Sequence, residues 1–135
     1  MSLTDAQLKA FEAKPSRKHV RSVCRDGIAV SYVEGWHVIA EANRIFGFGG
    51  WDRETILSEC IWQNKSQCQN TCAYVTRVRI SVRAGDQTVI REGTGAGHGL
   101  AATPGKAHES AAKQAETDAT KRAFATFGNP FGLAL

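Results

Sequence analysis

A long C-terminal helix is the feature that most constrains how this 135-residue chain can fold. The segment from Pro104 to about Phe127 is rich in alanine, which has the highest helix propensity, and proline suits the first turn of a helix. Gly128, Asn129 and Pro130 follow and predict its end. Small residues share one side of this helix, namely Ala111, Ala112, Ala115, Ala119 and Ala123. Such a stripe permits close packing against a sheet or a neighbouring helix.

The segment before this helix predicts a three-stranded antiparallel sheet. Residues 71–83 alternate with period two, and the positions on one face are Cys72, Tyr74, Val78, Ile80 and Val82. The positions on the other face are Val75, Arg77, Arg79, Ser81 and Arg83. An alternating segment from residue 51 to 62 precedes a polar, turn-like stretch at 63–70, and residues 87–94 return after a turn at 84–86.

The N-terminal part predicts helices. Residues 32–46 carry apolar side chains at helical spacing and end at Gly47, and residues 3–13 show a looser helical pattern that closes at Pro15. A basic cluster lies between these helices and consists of Arg17, Lys18, His19, Arg21 and Arg25. It is either a functional basic surface or simply a solvated linker. We therefore expect an α+β fold with a β-β-β-α core over residues 24–135 and a shorter helix before the sheet, preceded at 1–23 by a helix and basic linker.

Composition limits the class of protein. With 42% apolar and 22% charged residues the chain suits one globular domain, and a net charge of +4 favours polyanionic partners without singling out nucleic acid. The N-terminus lacks an apolar export segment, and no apolar run reaches the length of a membrane span. The expected location is intracellular: cytoplasm or nucleoid in a prokaryote or virus, nucleus or mitochondrion in a eukaryote.

The four cysteines do not form a familiar metal motif. In a short secreted chain they would suggest two disulfides, but without an export segment reduced thiols are expected. The spacing of Cys68 and Cys72 is wider than that of common zinc knuckles, and no paired histidines follow. We expect no metal site.

The glycine-rich stretch at 93–99 fails as a nucleotide-binding loop. A dinucleotide fingerprint beginning at Gly93 would need glycine at His98, and a P-loop ending at Lys106 would need serine or threonine at Ala107. These failures argue against ATP as a cofactor, and we expect no cofactor. The glycines are expected to leave the end of a strand without side chains, so that another backbone, of protein or of DNA, comes close.

Catalytic motifs are missing from the sequence. The four histidines are scattered, and no Gly-x-Ser-x-Gly motif surrounds a serine. We expect no catalytic residues and no enzyme activity, with a nuclease as the remaining enzymatic alternative.

Cations and aromatic residues remain as candidate functional groups. Lysine and arginine neutralise phosphates without reading sequence, and an exposed aromatic ring stacks on bases, which together favour single-stranded nucleic acid. The candidate cations are Lys65, Arg77, Arg79, Lys106, Lys113, Lys121 and Arg122. Three arginines on one strand face also fit a solvated face, although such a face usually mixes charges and this strand presents cations only. Phe48 and Trp51 fit either base stacking or the core.

Several motifs, in their joint order, resemble the Rad fifty-two family of single-strand annealing proteins. The N-terminal and central motifs are Tyr32-Val33-Glu34-Gly35, Val38-Ile39, Ala42-Asn43, Phe46-Gly47-Phe48-Gly49-Gly50-Trp51 and Cys72-Ala73-Tyr74-Val75. The C-terminal motifs are Thr117-Asp118-Ala119, Lys121-Arg122-Ala123 and Phe127-Gly128-Asn129.

The resemblance implies a ring-forming protein that binds single-stranded DNA in an outer groove and anneals complementary strands without nucleotide in recombination and repair. Its groove lysine and arginine fall on Lys121 and Arg122, and its groove aromatic falls on Phe48, which lacks the usual tyrosine hydroxyl. Larger relatives meet a recombinase and a single-strand-binding protein through a longer tail, and these are the further partners it implies. The chain ends soon after the core, which fits a compact form or a truncated one.

Three positions depart from the family pattern. Groove cations of better-known eukaryotic members fall on Ala125, His37 and Ala102, so this groove is expected to be less basic, with Lys106, Arg44 or Arg77 as neighbouring cations that would compensate. We keep His37 as a candidate DNA-binding residue. The rival hypothesis is a structural or protein-interaction module whose basic faces meet acidic partners.

Overall fold

The computed structural model describes residues 3–16, 20–25 and 28–132. Its helices are α1 (Asp5–Ala10), α2 (Gly35–Phe46) and α3 (Pro104–Ala125), followed by a short 3-10 helix at Asn129–Phe131. Its strands are β1 (Val20–Arg25), β2 (Ile28–Val33), β3 (Trp51–Lys65), β4 (Asn70–Ala84) and β5 (Gln87–Ala101). The strands β3-β4-β5 form an antiparallel sheet in that order. The predicted α+β fold, with this sheet followed by a long helix and preceded by a shorter one, is confirmed.

A β-hairpin occupies the segment where the sequence predicted a basic linker followed directly by a helix. Strands β1 and β2 pair antiparallel, with Val20 opposite Val33 and Arg21 opposite Tyr32. The prediction of helix at residues 32–33 is therefore wrong, and α2 begins at Gly35. Cross-strand pairs decide the conformation of such β-branched and aromatic residues, and a periodicity search along one segment does not include them. The basic residues 17–19 lie outside the described part of the chain.

The N-terminal helix α1 is shorter than the predicted span of residues 3–13. A capping box fixes its start: the Thr4 side chain accepts from the Gln7 backbone at 3.1 Å, and the Gln7 side chain accepts from the Thr4 backbone at 3.0 Å. The expected boundary between residues 23 and 24 falls inside β1, and the domain division stays a prediction.

Two strands of the main sheet run further than the sequence predicted. Strand β3 continues to Lys65, so the turn is confined to residues 66–69, and β5 continues through the glycine-rich stretch to Ala101. The expectation of a strand end near residue 94 is wrong because pairing with β4 and close cover by α3 offset the loss of strand stability that the glycines cause. None of the helices in the described residues is long and apolar enough to cross a membrane.

The chain divides into two compact units. The first comprises Met1–Asp52, Ser81–Ile90 and Phe124–Leu135, and the second comprises Arg53–Ile80 and Arg91–Ala123. Rings of the first unit form an aromatic core with neighbouring centroids 5.2–6.4 Å apart, contributed by Phe11, Phe46, Phe124, Phe127 and Phe131. The backbone N–H of Asn129 donates to Phe11 O at 2.8 Å, which fixes the segment after α3 against the segment after α1.

The second unit is built on close packing between β5 and α3. The alanine stripe of α3 is fully buried, at Ala107, Ala111, Ala115, Ala119 and Ala123, while Ala112 lies half-buried beside it. Every second residue of β5 from Gly93 to Gly99 is a buried glycine. A Cβ atom on Gly97 would lie 2.6 Å from Ala115 N and closer still to Ala111 O. The expectation that the glycines admit another backbone is thus confirmed, and that backbone is α3.

The predicted apolar face of β4 is also confirmed. Cys72, Val78, Ile80 and Val82 are buried, and Tyr74 is half-buried. Thr76 belongs to the same face, and its hydroxyl is buried without a hydrogen-bond partner in the described structure.

We expect a Gly97→Ala substitution to destabilise the protein by about 1–3 kcal/mol, since the added methyl group overlaps helix backbone that cannot rotate away. Denaturant unfolding followed by circular dichroism measures this. Gly105→Ala is the matched control, because a Cβ atom there meets nothing within 4 Å and alanine favours the first turn of α3. Equal stability of the two variants would contradict the packing described here.

Candidate nucleic-acid interface

The candidate cations of α3 lie away from its buried stripe. Lys106, Lys113 and Arg122 are exposed and Lys121 is half-buried. Because the alanines fix one side of the helix against β5, these side chains are carried on the remaining sides. The buried alanines and the charged side chains therefore occupy different sides of α3.

Two of these helix cations are paired with acids one turn earlier. Lys113 Nζ lies 2.9 Å from Glu109 Oε1, and Arg122 Nε lies 3.1 Å from Asp118 Oδ2. The hydrogen bond from Lys113 lowers the pKa of Glu109, and the same bond raises the pKa of Lys113. The acid-to-cation spacing of four residues was visible in the sequence and would have predicted both pairs.

Three polar contacts add to the glycine packing in fixing α3 on the sheet. Asp118 Oδ2 accepts from Ala96 N at 3.2 Å, and Gln114 Oε1 accepts from His98 N at 2.7 Å. At the other end of α3, Tyr74 Oη and His108 Nδ1 lie 2.7 Å apart. Burial is the main cause of the raised pKa of Tyr74.

The arginines of β4 do not form the cation-only face that the strand predicted. Arg77 Nε lies 3.5 Å from Glu92 Oε1, and Arg79 contacts Glu92 at 3.0 Å and Glu54 at 4.0 Å. Those acids stand on the strands at either side, which a single strand's pattern does not include. The face mixes charges, as a solvated antiparallel sheet ordinarily does. Contact of Arg77 and Arg79 with DNA stays a prediction.

The aromatic turn between α2 and β3 separates its two large side chains. Phe48 is 87% exposed, whereas Trp51 is half-buried, packs edge-on against Phe124 at 5.1 Å and donates to Asn43 Oδ1 at 2.8 Å. Gly47 adopts a φ of 82°, which favours glycine. Arg83 donates from its side chain to Gly49 O at 2.8 Å and anchors the turn. The core interpretation therefore holds for Trp51, and Phe48 is the ring available to a ligand.

Two candidate residues occupy different surroundings. The side chain of His37 is buried, with Nε2 3.7 Å from Glu41 Oε1, and its exposed neighbour is Trp36, a ring that the sequence reasoning did not single out. Lys65 is exposed at the end of β3 rather than within the turn. A DNA-binding role for each stays a prediction.

The candidate residues are distributed over both units. Phe48 and His37 belong to the first unit. The second unit holds all the candidate cations, which are Lys65, Arg77, Arg79, Lys106, Lys113, Lys121 and Arg122. The described residues contain no cluster of three or more histidine, cysteine or acidic side chains placed to hold a metal ion. The cysteines at 60, 68 and 72 are free, and only Cys72 of these is buried.

Comparison with known proteins identifies the family. Residues 4–135 match the model of the Rad52/22 family double-strand break repair protein. The chain belongs to this family, which confirms the resemblance stated from its motifs.

Curated fungal relatives agree with this assignment. The chain is 36% identical over 109 residues to the DNA repair and recombination protein RAD52 of Eremothecium gossypii, covering 78% of this chain and 24% of that protein. It is 36% identical over 110 residues to rad22 of Schizosaccharomyces pombe and 34% identical over 110 residues to RAD52 of Saccharomyces cerevisiae. Each match covers 78% of this chain, and 23% and 22% of the two relatives, so the chain spans less than a quarter of their length.

Phe48 and Trp51 should differ sharply in their effect on stability. Phe48→Ala should change the free energy of unfolding by less than about 0.5 kcal/mol, because the ring is exposed. Trp51→Ala should cost about 3 kcal/mol, since it removes a ring packed on the aromatic core. Thermal unfolding monitored by near-ultraviolet circular dichroism measures both, and a large loss in Phe48→Ala would show that this ring is a core residue.

Proposed function

We propose that this protein binds single-stranded DNA and anneals complementary strands without ATP, in homologous recombination and DNA repair. The observation that carries the proposal is the rigid attachment to the sheet of the helix that bears Lys121 and Arg122, onto which the motif resemblance places the family's groove cations. The names of the curated relatives, each a DNA repair and recombination protein, support the biological role.

The proposed mechanism depends on fixed phosphate contacts and free bases. Lys121 and Arg122 neutralise phosphates, which holds a strand without selecting its sequence. The exposed ring of Phe48 offers a base a stacking surface at low cost in conformational entropy, because the turn that carries it is anchored. With the backbone held and no base edge engaged by hydrogen bonds, a complementary strand pairs directly with the bound one.

Self-association is the second part of the proposal. Strand β3 is an edge strand of the sheet, and its exposed apolar side chains are Ile56, Leu57, Ile61 and Trp62. Long exposed apolar edge strands favour pairing with another chain. A second copy of this chain is the occupant that we propose, and repetition of a head-to-tail contact would close a ring.

Partners and location follow from the same role. Acting on chromosomal DNA would bring the protein together with a recombinase and a single-strand-binding protein, in the nucleus of a eukaryote or the nucleoid of a prokaryote. These remain proposals, because the chain corresponds to less than a quarter of the length of the relatives named above.

A protein-interaction module is the alternative, and one observation favours it. The outer face of the sheet balances Arg77 and Arg79 with Glu92, so that face carries little excess charge for a polyanion. Under this alternative, the chain binds another protein and DNA binding is incidental. The two functions predict different results for the variants below.

Reversing the charge of Lys121 and Arg122 together should weaken binding of an oligo(dT) strand at least about tenfold at low salt, because two phosphate contacts are lost. Annealing of complementary oligonucleotides should be lost with it. Fluorescence anisotropy and a strand-annealing assay without nucleotide measure the two effects. For the wild type, each neutralised phosphate should contribute about −0.7 to the slope of log K against log salt.

The matched control is a double reversal of Lys9 and Lys14, which are exposed in the first unit and change the net charge equally. It should keep both activities. Retained annealing in the Lys121/Arg122 variant would contradict the assigned groove, and a salt-independent interaction would favour the protein-interaction module. Shortened DNA products in the presence of magnesium would indicate a nuclease instead.

Ile61→Lys should reduce the molar mass measured by light scattering, because a charge is placed on the apolar surface of β3. Leu8→Lys is the control, since Leu8 is similarly exposed but lies on α1. An unchanged assembly in Ile61→Lys would rule out β3 as the contact between copies.

A further inference from the structure

Asp118 forms hydrogen bonds both with the sheet and with a candidate DNA-binding cation. Its Oδ2 atom accepts from Ala96 N at 3.2 Å and from Arg122 Nε at 3.1 Å. The guanidinium of Arg122 is exposed, and the carboxylate is half-buried. One acid therefore stands within reach of any phosphate that binds Arg122.

The position of this carboxylate is fixed by the edge of the sheet. Strand β5 is an edge strand, and the N–H groups of alternate residues on such a strand point away from the sheet. Asp118 satisfies the N–H of Ala96, and Gln114, one turn earlier on α3, satisfies that of His98. If Asp118 turned away from Arg122, the Ala96 amide would lose its partner. The sheet thus gives the carboxylate a contact that does not depend on the presence of DNA.

We propose that Asp118 limits the strength with which Arg122 holds single-stranded DNA. This inference rests on the proposed function and concerns the regulation of that same site. A phosphate that approaches Arg122 meets a guanidinium already bonded through Nε, and it is repelled by the fixed negative charge beside it. The terminal nitrogens of Arg122 remain able to donate, so binding is weakened rather than prevented.

A limited affinity for the bound strand suits strand annealing. The bound strand must leave as a duplex after pairing, and stronger phosphate contacts would slow that release. Glu109, the acid partner of Lys113, also precedes its cation by four residues. It is exposed, however, and none of its described contacts is with a backbone amide of the sheet. Asp118 is therefore the acid whose place beside a cation is enforced by the sheet.

The test is an Asp118→Asn substitution, which keeps an oxygen for the Ala96 amide and removes the negative charge. Affinity for an oligo(dT) strand should rise roughly three-fold at low salt, as expected for one charge about 6 Å from a phosphate in water. The gain should shrink as salt rises, because screening weakens the repulsion that the substitution removes. Release of annealed duplex should become slower. Fluorescence anisotropy over a range of salt concentrations measures the affinity.

Two further variants test whether the effect acts through Arg122. Gln114→Ala removes the side chain that accepts from the His98 amide of β5, and it changes no contact of a cation. It should therefore leave the affinity for oligo(dT) unchanged. In an Arg122→Gln background, Asp118→Asn should raise the affinity much less than it does in the wild type. An equal gain in that background would contradict the proposal, as would an affinity that stays the same or falls in the single variant.

The outcome separates this inference from the proposed function. If the wild type does not bind oligo(dT), the proposed function fails; if the wild type binds and Asp118→Asn binds no tighter, the inference alone fails. Asp118→Ser, with a smaller neutral acceptor, provides a second test if the asparagine variant does not fold, and thermal unfolding of each variant checks this.

Discussion

The contact between β5 and α3 is the constraint on which the second unit of this protein depends. Four glycines alternate along the buried side of β5, and five alanines line the facing side of the helix. The glycines do not tolerate a larger side chain, because helix backbone lies within the space that a Cβ atom would need, and the facing alanines are fully buried. The helix is therefore fixed in position and rotation, and its charged residues are fixed with it.

This close approach also determines how the edge of the sheet and the cations are arranged. Side chains as short as Asp118 reach the outward amides of β5 because the helix lies so near, and Asp118 then stands beside Arg122. Arg77 and Arg79 are balanced in a different way, by Glu92 across the strands. The candidate DNA-binding surface is a set of cations that mostly have acidic partners, rather than a uniformly positive patch.

Much of this arrangement was predictable from local patterns. The span of α3, its alanine stripe and the buried face of β4 follow from residue spacing, and the ordered motifs identify the family. The β1–β2 hairpin was missed, because its residues are placed by partners on another strand. The acids beside Arg77 and Arg79 were missed for the same reason, whereas the Asp118–Arg122 pair follows from helical spacing alone.

The sequence by itself determined the elements whose periodicity is local, the family, and the residues that are candidates for binding DNA. Tertiary structure decided which backbone the glycines admit, which of Phe48 and Trp51 is exposed, and which acids balance the arginines of β4. The physical reason is the range of each interaction. Helix propensity and alternation act between near neighbours in the chain, but burial and charge balance depend on residues that folding alone brings together.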